Sequence, residues 1–340
     1  MPAADDRLAH HQLDSFLCVD GYRTCDLLQL RPEAEHLASR SPAIKREQRT
    51  LRPQTVMSLA RYRTTFRRTR FLSVALIFVV LPLSARAWGR NGNKLVVNKA
   101  IDTLPADIRA FFESNRALLS QHVTDPLDTI ATKAAERHNH FVYLDKYGRF
   151  PYDALPRNYK AAVSKYGKTK LQANGLLPWQ IGVYSQKLTE DMKTGHWEEA
   201  KLDAAILANY VAEAHDPFNT TEDFDGHLTG QTGIDERFGT TLIDRYSSFF
   251  PMRPTDAAFI SDPTDHAFES CLSSHSWLET ILLADRNSKR GHNSYNDEYF
   301  DHFYNAAAVI LIRQLSDAAT DVGSYWLTAW VNAGRPQLSH

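Results

Sequence analysis

The chain has 340 residues, of which 43% are hydrophobic and 11% aromatic, enough to bury a sizeable core and to exclude a disordered polymer. A formal net charge of −1 excludes a uniform basic field that would draw in nucleic acid or anionic membrane, leaving only a local patch for such a role.

Residues 1–56 are polar, rich in Arg and Glu and without helical or strand periodicity, and they read as a non-structural upstream extension. Residues 57–87 have the layout of a secretory signal: Arg61, Arg63, Arg67, Arg68 and Arg70 precede an apolar run at 71–81, and Ala85 and Ala87 supply the small residues of a cleavage site. Cleavage is expected after Ala87, giving an exported product, periplasmic or secreted, that begins at Trp88. The rival reading, a membrane anchor, is disfavoured because crossing a bilayer takes about 20 apolar residues. Cys18 and Cys25 lie in the upstream extension. The exported chain would therefore keep only Cys271, which excludes an internal disulfide and reads as a small buried side chain.

From Trp88 onward the apolar spacing is helical. Val97, Ile101 and Leu104 share a face, and Ile108, Phe111 and Phe112 follow the break at Pro105. Spacings of three and four predict helices over 176–193, 198–214, about 242–250, 274–284 and 299–315, with a last helix over 322–331. Gly175, Gly195, Pro217, Pro251 and Pro263 punctuate the joints. No strand-like alternation, repeat or linker divides 88–340, so the expected fold is all-α, a single multi-helix domain. Two polar loops, 121–152 and 217–238, stand out as places for binding chemistry.

In the helix predicted over 198–214, Leu202 and Ile206 define the expected inward stripe, and continuing it reaches Asn209 and Glu213. Extending the Val97 and Ile101 face backward reaches Asn93. Buried polar groups need hydrogen-bond partners, a cation or a water-filled cleft, since burying them unpaired costs several kcal/mol. Either a satisfied structural network or a site in a helix-bundle core meets that need. His215-Asp216-Pro217 reads as a helix cap and stop.

These segments resemble the superfamily of zinc-dependent phospholipase C and single-strand-specific nucleases. The resemblance runs from Trp88-Gly89-Arg90-Asn91-Gly92-Asn93 through Asn139-His140-Phe141-Val142-Tyr143-Leu144-Asp145 and the helix ending near Asn219, to the loop 225–239 and the closing Trp330-Val331-Asn332-Ala333-Gly334-Arg335-Pro336. It implies an all-helical fold, a three-zinc site and phosphodiester hydrolysis. Carried over residue by residue, it makes Trp88, Asp125, His140 and Glu213 the positions that keep a metal-ligand type, with Asp125 also matching the catalytic carboxylate near the attacking water and Asp128 standing close by as its alternative. Asn93, Asn209, Asn219, Asp235 and Gly239 stand where the resemblance implies other ligands, and His227 could substitute for one of them. Amide oxygens are poor zinc donors, so the cluster is expected to be degraded to no metal or one divalent cation.

The functional expectation is an exported, metal-poor binding protein, a pseudoenzyme on a hydrolase scaffold, with a phosphate-bearing small molecule or lipid as its partner. The alternative is a hydrolase of phosphate esters that uses one residual ion. No strong nucleic-acid signal and no transmembrane segment is expected after Trp88.

Overall fold

The computed structural model describes residues 88–338, so the upstream extension at 1–56 and the signal segment at 57–87 lie outside the described residues. Among those described, twelve α-helices and several short turns make up the structure, with no strand. They are α1 Gly89–Thr103, α2 Ala106–Ser114, α3 Arg116–His122, α4 Asp125–Ile130, α5 Tyr159–Tyr166, α6 Lys168–Ala173, α7 Leu177–Thr194, α8 Trp197–Ala214, α9 Leu242–Tyr246, α10 Pro263–His275, α11 Leu278–Lys289 and α12 Asp297–Asn332. No helix among them is long and apolar enough to cross a membrane.

The centre of the arrangement is α8, packed against α7, α12, α3, α1 and α10. Its ends are set locally. Glu198 and Glu199 in the first turn complement the helix dipole, and the chain stops at His215, where Asp216 Oδ1 accepts the Phe218 N–H at 2.9 Å ahead of Pro217. The expected inward stripe is displaced: Leu202 is exposed and Ile206 only half buried, while Ala200, Ala204, Leu207, Ala208 and Val211 are buried. Asn209 and Glu213 are nevertheless fully enclosed, because neighbouring helices surround the whole second half of α8. Each large apolar side chain buried in this way contributes about 1.5–3 kcal/mol. Trp326 of α12 illustrates the packing: its ring stacks on Phe112 at 4.5 Å, and its indole N–H donates to the Ala204 carbonyl at 3.0 Å.

Three expected elements differ from those observed. The helices expected over 299–315 and 322–331 are one 36-residue helix, α12, roughly 54 Å long at about 1.5 Å per residue. No Gly or Pro interrupts 316–321, and the hydroxyls of this helix are bonded by an extended segment lying alongside. The backbone N–H groups of Arg253, Thr255, Ala258 and Ile260 donate to the hydroxyls of Ser316, Thr320, Ser324 and Thr328, at 3.2, 2.9, 3.0 and 2.8 Å. Four hydroxyls spaced four apart thus satisfy a strand-like segment without a sheet. The helix expected over 274–284 is broken between α10 and α11, where Ser276 Oγ donates to the Ser273 carbonyl at 2.6 Å and competes with helix continuation. The helix expected over 242–250 is a composite of a π-helical turn Glu236–Thr241, α9 and a 3-10 turn Ser247–Phe249.

One glycine is decisive for placing the first polar loop. Gly175 has φ +93°, and a Cβ there would lie 2.0 Å from the Phe141 carbonyl oxygen. This close approach lets Leu176 N–H donate to His138 O (2.7 Å), Leu177 N–H to Phe141 O (3.1 Å) and Tyr143 N–H to Asn174 O (2.8 Å). Val142 N–H donates to Asn219 O at 2.8 Å from the other side. Residues 138–143 are thereby clamped over the end of α8, with His140 held at its centre.

Candidate functional site: a buried polar cluster at the end of α8

His140 and Glu213 meet inside the protein, 5% and 1% exposed. The imidazole Nδ1 lies 2.7 and 2.9 Å from the two Glu213 carboxylate oxygens, and Nε2 lies 3.3 Å from Glu136 Oε1. Burial on its own favours the neutral ring, but the Glu213 and Glu136 carboxylates outweigh it and raise His140 to about 9. Glu136 also accepts the Tyr210 hydroxyl. Nδ1 is thus engaged by Glu213, whereas Nε2, although close to Glu136, is buried without a hydrogen-bond partner.

The asparagines satisfy one another. Asn209 Nδ2 donates to Asn93 Oδ1 at 3.2 Å, Asn93 Nδ2 donates to Gly89 O at 2.8 Å, and Asn219 Nδ2 donates to Glu213 O at 3.3 Å. Trp88 is fully buried, its indole N–H donating to Ala212 O at 2.7 Å and its ring 6.0 Å from Phe238. Gly239 is buried in the π-helical turn and offers no side-chain donor atom.

Two further carboxylates belong to this region. Asp235 is driven well above the ordinary carboxylate range by burial and then by Asp216, Asp225, Glu236 and Glu213. Burial raises Asp216 to about 7, against the opposing Phe218 N–H. Asp235 Oδ1, Asp216 Oδ2 and Asn209 Oδ1 are buried without hydrogen-bond partners. With several carboxylates and one buried cation in mutual reach, protons on Asp235 and Asp216 relieve the repulsion.

The remaining residues singled out in the sequence stand apart. Asp125 opens α4 at the half-exposed surface, where its carboxylate meets His122 Nδ1 at 2.7 Å, and it makes no hydrogen bond or ion pair to His140 or Glu213. Asp128 is paired with Arg90. His227 is exposed, 3.7 Å from Asp223 and against the Phe224 ring.

Zinc fits this donor set poorly. Of the positions that the resemblance implies as ligands, three are amides bonded within the protein and one is glycine. His140 Nδ1 is taken by Glu213, and the Asp125 carboxylate is taken by His122. Among the described residues no three His, Cys, Asp or Glu side chains converge in a way that could hold an ion. No reaction step is therefore assigned to a metal.

Above the cluster is a narrow crevice of about 20 Å³ lined by Arg137, His140, Tyr143, Asn219 and Phe224, with room for about one water molecule. Phe141 stacks on Tyr143 at 4.4 Å, and Tyr143 lies parallel to Phe224 at 6.1 Å. Arg137 makes no ion pair among the described residues. Sequence reasoning missed Glu136, Asp216 and this aromatic stack. The Glu136–His140 spacing of four was the one signal that could have suggested their contact.

No family model matches the chain, and no curated protein matches it either. Among solved structures the chain is similar to the alpha-toxin of a Clostridium perfringens avian strain, with 14% identity, a TM-score of 0.48, and coverage of 75% of this chain and 66% of that one. It is also similar to the alpha toxin of Clostridium absonum, with 16% identity, a TM-score of 0.42, and coverage of 72% and 64% respectively. The chain thus spans just under two thirds of the length of these toxins. These similarities concern the path of the chain, and nothing about activity follows from them.

Proposed function

We propose that this chain is an exported binding protein, released after Ala87, in which the polar cluster at the end of α8 is a structural network and not a hydrolytic metal centre. The observation that carries this reading is that the implied ligand positions bond within the protein, His140 Nδ1 to Glu213 and Asn209 Nδ2 to Asn93. The crevice of about 20 Å³ above it admits no phosphodiester without opening. A phosphate-bearing small molecule or lipid headgroup is the partner in this reading, drawn to Arg137 at the crevice wall, where a guanidinium can hold a phosphate through two parallel hydrogen bonds.

The test is turnover of a chromogenic phosphodiester and of phosphatidylcholine by the exported form with added zinc, manganese or calcium. The expected rate equals that of buffer containing the same ion. Turnover that saturates with one ion and is lost in His140→Ala would replace this reading with a second.

That second reading, a hydrolase with one residual cation, draws its support from the unpartnered Asp235 Oδ1 and Asp216 Oδ2, since a cation between buried carboxylates would remove their repulsion.

A further inference from the structure

A larger cavity lies away from the polar cluster. About 560 Å³ opens between the start of α5, the first half of α7 and the start of α10, within the range of small-molecule sites. We propose that this cavity binds a neutral, hydroxyl-rich ring compound of the sugar class.

Its wall chemistry carries the assignment. Trp179 and Tyr159 form one side, their rings edge to face at 5.5 Å. Trp179 is 7% exposed and its indole N–H is spent on the Arg157 carbonyl at 2.7 Å, so it backs the wall, and Tyr159, 36% exposed, presents the open apolar ring surface. Asn158, Gln180 and Gln186 also line the space. Asn158 Oδ1 caps α5 by accepting the Ala161 N–H at 3.1 Å, which leaves its amide NH₂ to donate. Primary amides donate and accept at once, as hydroxyl groups do, so an apolar wall beside an amide edge matches a ring with one C–H face and a rim of hydroxyls.

Charge disfavours anionic ligands. The cationic side chain in the lining, Arg157, is committed to Asp265 and Glu269 at 2.5 Å each. Asp262 accepts the Thr264 and Asp265 N–H groups at 3.0 Å, capping α10. The lining thus holds two carboxylates against one neutralised guanidinium, which repels phosphate esters and other anions. The same field does not repel an organic cation, so the assignment to a neutral ring rests on the amide edge and the aromatic wall, and the tetramethylammonium comparison below tests the cationic class. This inference does not depend on the metal question, although Gln180 of the lining also reaches Tyr210, the partner of Glu136.

The experiment titrates the full exported form with cellobiose and with N,N′-diacetylchitobiose, read by tryptophan fluorescence and by saturation-transfer NMR. Val183 sits at the cavity wall, 57% exposed, so Val183→Trp can block the space without disturbing the core. The expected result is saturable binding of at least one disaccharide, weakened at least about tenfold in Val183→Trp, which corresponds to about 1.4 kcal/mol. Gln186→Ala, on the exposed side of α7, should weaken it by a smaller factor. Binding of neither sugar overturns the proposal. So does sugar binding that Val183→Trp leaves unchanged, and so does a preference for inorganic phosphate or tetramethylammonium over both sugars.

Discussion

His140→Ala is expected to lower the unfolding free energy by roughly 3–5 kcal/mol, and by the same amount with and without a strong chelator. The substitution leaves Glu213 almost fully buried with its charge uncompensated and removes the partner that Glu136 faces through Nε2. A pair in this setting adds little net stability as a unit, but breaking it from one side exposes the desolvation cost of the other. The pH dependence has a definite sign. Because the folded-state ring is raised from 6.5 to about 9, its contribution is fully present below about pH 6.5 and is lost as pH rises through about 9. The gap in stability between wild type and His140→Ala, followed by urea unfolding at a series of pH values, should therefore narrow on the alkaline side. A gap that disappears on adding chelator would instead make His140 a metal ligand.

Asp285→Ala should be comparably damaging, again roughly 3–5 kcal/mol, although it lies far from any expected catalytic residue. Asp285 is 1% exposed, lies 3.0 Å from Arg237 Nη2 as an ion pair, and accepts from Arg237 Nε at 3.1 Å, Gln231 Nε2 at 2.6 Å and the Tyr299 hydroxyl. Arg237 also donates to the Thr232 and Gln231 carbonyls at 2.8 and 2.9 Å, so one carboxylate ties the glycine-rich loop to α11 and α12. Its removal leaves a guanidinium buried without a counter-charge. The double variant Asp285→Ala/Arg237→Met should lose less than the sum of the two single changes, which a double-mutant cycle in urea would measure. Additive losses would show that the two side chains do not act as a pair.

The helical character of the chain was legible because most of its helices carry an apolar spacing of three and four, and α7 and α8 fell within a residue or two of where that spacing placed them. Registration of faces was less legible. The stripe through Leu202 and Ile206 was misjudged because the first half of α8 keeps an open face, on which Leu202 lies, while its second half is enclosed and has no single inward face to find. The continuity of α12 was missed across 316–321, where Ser316, Asp317, Thr320 and Asp321 interrupt the apolar spacing. A run of hydroxyls reads as a loop until the segment they hydrogen-bond, 251–260, is placed beside them.

In the polar cluster, the burial of Asn93 followed from the periodicity of α1, whereas Asn209 and Glu213 are buried because helices enclose the second half of α8, not because the Leu202–Ile206 stripe faces inward. Their partners did not follow from periodicity, since Glu136 and Asp216 lie on turns whose path depends on the Gly175 approach and on the cap at Pro217. The cavity beside Trp179 left no sequence signal, because its wall is assembled from three separate segments.

The most direct measurement is zinc content per chain, by elemental analysis of the exported form purified without chelator and equilibrated with zinc. A self-satisfied network predicts less than one zinc ion retained per chain after desalting. Two or three ions retained per chain would contradict the account, because the asparagines, His140 and the buried carboxylates would then have to rearrange into a metal cluster.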